Sequence, residues 1–89
     1  MTARLLETMR AEGGHVPLLD RHLARLGTSA AAFGYGFDAV AVARAVAAAV
    51  PPTGVHRVRL TLGPGPPAAP DVDVRASALD GSAFATVWL

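Results

Sequence analysis

From Leu23 onward, apolar side chains return at the spacing of a helix: Leu23, Leu26, Ala30 and Phe33 form one stripe, and Gly34 follows at once. A stripe of that width has to be covered by another apolar surface. Asp20, just ahead of it, stands where an N-cap belongs, its carboxylate placed to accept from orphan amides. A helix over 20–33 therefore needs a layer to pack on.

The remaining segments offer one. Asp38 is a second N-cap, opening a helix that runs to Val50 and is stopped by Pro51-Pro52. Val42, Val46 and Val50 share one side of it. Residues 55–62 alternate with period two, so that His56, Val58, Leu60 and Leu62 lie on one face and Arg57, Arg59 and Thr61 on the other. The run from Gly63 to Pro70 is too rich in Gly and Pro for a helix or a central strand. Asp71 to Ser77 alternates again, with Val72, Val74 and Ala76 inward. Ahead of the first helix, Leu5–Arg10 and His15–Leu19 read as short strands joined through the turn Glu12-Gly13-Gly14, a hairpin. Phe84 to Leu89 reads as a last strand, and its apolar ending suggests a truncated domain. The expected order is β-β-α-α-β-β-β, an α+β fold with two helices packed on a mostly antiparallel sheet.

Length makes this one small domain. At 89 residues only roughly 60–65% of the unfolded surface is buried on folding. Hydrophobic residues are 52% of the chain, more than so thin a core hides, which predicts an exposed apolar face awaiting a partner. The net charge of +1 excludes the strongly basic footprint of a nucleic-acid binder. Without cysteine, neither a disulfide framework nor a thiolate metal site can form. No targeting segment is visible, and the longest apolar run, Ala45 to Val50, is far short of the roughly 20 residues that span a bilayer. The expectation is a cytoplasmic protein with no membrane or nucleic-acid partner.

Among groups that carry chemistry, no lysine-bearing phosphate loop, metal-spaced histidines or Ser-His-Asp set is present. His15 and His56 read as ordinary surface or strand residues. All eight basic side chains are arginines. Arg21 and Arg25 lie near one face of the first helix, four residues apart. Arg25 borders the apolar stripe, from which a guanidinium either snorkels to water or reaches into a pocket for an anion. Arg57 and Arg59 project together from the alternating strand, on a face that is either solvated or lines an anion site.

Leu6-Glu7-Thr8-Met9-Arg10, Gly14, and the run Leu18-Leu19-Asp20-Arg21-His22-Leu23-Ala24-Arg25-Leu26 occur in the order and spacing of a known family. So do Ser29-Ala30, Phe33-Gly34 and Val58-Arg59-Leu60-Thr61-Leu62. Over residues 5–62 the chain resembles the N-terminal domain of the class IV aminotransferases, the fold-type IV pyridoxal phosphate enzymes. It is most similar to short members resembling 4-amino-4-deoxychorismate lyase. The helix motif with its upstream Glu-Thr-Met-Arg strand is fairly specific; the later strand alone is weak.

The resemblance implies a cofactor, pyridoxal phosphate, whose phosphate is bound by Arg25. It implies a substrate-carboxylate role for Arg59, and for Arg10 a place in the same cleft, with Glu7 and Thr8 lining or supporting it. It also implies a small amino or carboxylate substrate and a homodimer in the full protein. The family's lysine, which holds the cofactor and moves protons, lies in a C-terminal catalytic domain, and this chain contains no lysine. Residues 1–89 are therefore expected to be the small domain of a lyase or aminotransferase, inactive alone, with no catalytic residue and no metal ligand of its own. The alternative is a non-catalytic protein-interaction module that uses its apolar face.

Overall fold

A computed structural model describes residues 3–79. Among them the order is β1 (Leu5–Glu12), α1 (Leu19–Phe33), α2 (Ala39–Ala49), β2 (Val55–Gly63) and β3 (Asp71–Ala78). The three strands form one antiparallel sheet in the order β1-β2-β3. Both helices lie on one face of it, α1 over β1 and α2 over β3. This is the expected α+β arrangement; the strand expected over Phe84–Leu89 falls outside the described residues.

Alternation decides which side chains meet the helices. Val58, Leu60 and Leu62 of the central strand are wholly buried, and their neighbours in register are Met9, Glu7 and Leu5 on β1 and Ala76, Val74 and Val72 on β3. From the helices come Leu23, Leu26 and Ala30 of α1 with Val42 and Val46 of α2. Each fully buried Leu or Val contributes about 1.5–3 kcal/mol relative to exposure, so the central strand is the main source of cohesion.

Asp38 caps α2 as expected, accepting from the amides of Val40 at 3.0 Å and Ala41 at 3.3 Å. Gly34 ends α1 in the left-handed conformation, φ 72°, with its amide turned back to the last carbonyls of the helix. The link between the helices is held at Gly36, whose amide donates to the Gly65 carbonyl at 2.8 Å. A Cβ there would run into the backbone of Gly65 and Pro66, so the approach requires glycine.

Three expectations are corrected. His15–Leu19 is not a strand: after Gly13 and Gly14 the chain makes a single bridge, Glu12 to His15, and stops. Pro17 has no amide for a ladder, and the Leu19 amide turns back to the Val16 carbonyl, starting α1 at once. Helix α1 begins earlier than Asp20 and carries Leu18 at its cap position with no side-chain bond. Asp20 instead sits in the first turn, where its charge complements the helix dipole. Phe33 is 55% exposed because the helix ends there. It tilts against Tyr35, ring centroids 5.5 Å apart, while Tyr35 and Phe37 pack on the core.

Candidate functional site

Period two places Leu5, Glu7, Met9 and Ala11 of β1 toward the helices, and Leu6, Thr8, Arg10 and Glu12 on the outer face of the sheet. Glu7 is thus a carboxylate on the face that holds the core, with only 11% of its side chain exposed. A carboxylate so placed needs partners, and α1 provides two. Arg25 donates from Nε to Oε2 at 3.2 Å and from Nη2 to Oε1 at 2.9 Å. His22, one helical turn earlier, stands with Nδ1 2.7 Å from Oε1.

The protonation pattern follows. Burial pushes the Glu7 carboxyl upward, but the hydrogen bonds from Arg25 and His22 and their charges outweigh it and hold it below its usual range. An ionised carboxylate only accepts, so His22 carries its proton on Nδ1 and donates it to Glu7. Nδ1 then cannot also accept from Arg25, and the 3.4 Å approach of Arg25 Nη2 to it is a contact rather than a hydrogen bond. Glu7 in turn pushes the Arg25 guanidinium further up.

Glu7 occupies the Nε–Nη2 edge of Arg25 and leaves Nη1 without a hydrogen bond among the described residues. The Arg25 side chain is 67% exposed. A planar fork anchored along one edge and open along the other has the donor geometry that phosphate accepts. The free edge of Arg25 can therefore donate to an oxyanion.

The outer face carries the other expected residues. Arg59 lies opposite Thr8 on β1 and opposite Arg75 on β3; Arg10 lies opposite Arg57. Arg10 also pairs with Glu12 at 2.6 Å, and Arg75 with Asp73 at 3.1 Å. Arg59 helps to line a recess of about 330 Å³ with Arg4, Thr61, Asp73 and Arg75. Like charges directly opposed across strands repel, and Asp73 beside Arg75 and Glu12 beside Arg10 offset part of that repulsion.

Arg10 and Arg59 are therefore brought to one surface, while Arg25 stands on the helix side at the edge strand β1. Glu7 and Thr8, expected together, point to opposite faces because they are adjacent in a strand. Two participants were not singled out from the sequence. His22 had a signal, three residues before Arg25 on the same helix. Arg4 had none: it reaches across the sheet to Thr61 Oγ1 at 3.2 Å and Asp71 Oδ2 at 2.8 Å, clasping the end of the β2–β3 hairpin.

Among the described residues no group of histidines and carboxylates could hold a metal, and no helix is long and apolar enough to cross a membrane. The protein is a small α+β domain with Arg25 on a helix and Arg10, Arg57, Arg59 and Arg75 on the outer face of its sheet. A profile of the family described as Amino-transferase class IV matches residues 4–86, and the chain belongs to that family, which is in general pyridoxal phosphate-dependent. Comparison with curated proteins and with solved structures finds no match.

Proposed function

We propose that this chain forms one wall of a pyridoxal phosphate site in an aminotransferase or lyase, with a reaction most like that of 4-amino-4-deoxychorismate lyase. The observation that carries the proposal is Arg25, clamped by Glu7 along one edge and open to solvent along the other. Arg25 holds the phosphate. Arg59 and Arg10 lie on the outer face of the sheet, away from Arg25, so the substrate-carboxylate role proposed for them requires a surface other than this wall.

The cofactor, when bound, supplies an electron sink for bonds broken next to the substrate nitrogen. This chain binds and orients; it contributes no amine to hold the cofactor covalently, since it contains no lysine. Arginine cannot take that part, because it stays protonated at any working pH. The lysine and the second set of phosphate donors are supplied by further protein, and the complete enzyme is a homodimer in this reading. The apolar recess beside Leu23, Val40, Ala43 and Ala47, where Val40 is 60% exposed, is suited to such contacts. A cytoplasmic location accords with this chemistry.

The test is equilibrium binding of pyridoxamine 5′-phosphate, which has no aldehyde to react with the N-terminal amine, against phosphate-free pyridoxamine. The chain should prefer the phosphate compound by about tenfold, equivalent to one charge-assisted contact of ~1.4 kcal/mol. Arg25→Ala should remove the preference. Equal preference in the variant would refute the phosphate role.

A further inference from the structure

Resting on that reading of Arg25, we propose that Glu7, assisted by His22, is a positioning residue that fixes the Arg25 guanidinium with its Nη1 side turned to the phosphate. An exposed arginine samples many rotamers and loses that freedom when it binds. Here the loss is taken during folding. Glu7 belongs to a strand paired with β2 along its whole length, opposite Leu60, and only 11% of its side chain is exposed, so its carboxylate has little room to swing. Both Nε and Nη2 of Arg25 are bonded to it, which sets the plane of the fork as well as its direction. His22 supplies a third donor to the same carboxylate from a side chain only 16% exposed.

The three groups lock one another in sequence. β1 fixes Glu7, Glu7 fixes the fork, and the helix carrying both His22 and Arg25 is tied to the strand at one point. With Nε–H, Nη2–H and the His22 Nδ1–H already placed on its oxygens, the Glu7 carboxylate is engaged inward. Nη1 is left to the incoming anion. A carboxylate that oriented nothing would serve equally well with Arg25 free to turn, and that difference can be measured.

The experiment titrates the whole chain, labelled with ¹⁵N-arginine, with pyridoxamine 5′-phosphate and separately with pyridoxamine. In the wild type the Arg25 Nε–H signal should be protected from solvent exchange before ligand is added, and should shift only with the phosphate compound. Glu7→Gln, verified folded by its amide spectrum, should lose that protection and reduce the phosphate-over-phosphate-free affinity ratio about three- to tenfold. Combining it with Arg25→Ala should cost no more of the ratio than Arg25→Ala alone. If the wild-type ratio is absent, or survives Arg25→Ala, the phosphate reading itself fails. If the ratio depends on Arg25 but Glu7→Gln leaves both ratio and protection unchanged, the positioning role alone is overturned. Should Glu7→Gln not fold, His22→Ala decides: a smaller ratio than wild type supports the role, and an equal ratio overturns it.

Discussion

Leu60 stands at the middle of the central strand with no exposed surface, opposite Glu7 on one side and Val74 on the other. Leu60→Ala removes three carbons from a site closed on every side. At ~0.8 kcal/mol for each buried carbon the transfer loss is about 2.4 kcal/mol, and the cavity left by a rigid sheet raises it to about 3–4 kcal/mol. A domain of this length has a stability of roughly 4–13 kcal/mol, so the variant should fold but melt early. Leu6→Ala makes the same chemical change one strand away, on the outer face, where Leu6 is half exposed; its cost should be about 1 kcal/mol or less. Urea unfolding followed by far-UV circular dichroism measures both, with the slope m unchanged. Equal losses in the two variants would refute the assignment of faces.

Three further outcomes follow from single contacts. Asp38→Ala removes the acceptor for two amides at the start of α2 and should lower stability by about 1 kcal/mol in the same assay. Gly36→Ala places a Cβ against the backbone of Gly65 and Pro66, and should destabilise by about 1–3 kcal/mol, with amide shifts in both loops. The lowered Glu7 pKa contributes stability that is complete above the ordinary carboxylate range and is lost as pH falls through the folded value. Acid unfolding curves of Glu7→Gln should therefore be flatter than wild type below the usual glutamate pKa; parallel curves would show that the carboxylate is not held by Arg25 and His22.

Much of the fold was legible because it rests on local rules. Period-two alternation over 55–62 assigns Val58, Leu60 and Leu62 to the core and Arg57 and Arg59 away from it, whatever the strands' partners. The stripe Leu23, Leu26 and Ala30, the cap at Asp38 and the stop at Gly34 need only helical geometry and the hydrogen-bonding needs of helix ends. The apolar residues of His15–Leu19 resemble a short strand, but the segment is not one. Pro17, which has no amide to give a ladder, already argues against that strand, and the helix that begins at Leu19 takes the rest of the segment.

The arginines divide along the same line. That Arg25 borders an apolar stripe, and that Arg59 projects away from the core, follow from side-chain periodicity within single elements. That Arg25 is held by Glu7, eighteen positions earlier, follows only from packing α1 over β1, since no local rule brings those two residues together. The same packing separates Arg25 from Arg10 and Arg59, because a strand sends neighbouring side chains to opposite faces and the helices cover only one of them. Sequence alone set the residues available to bind an anion and left this chain without a lysine. Tertiary structure decided which arginine is fixed in place and by which carboxylate.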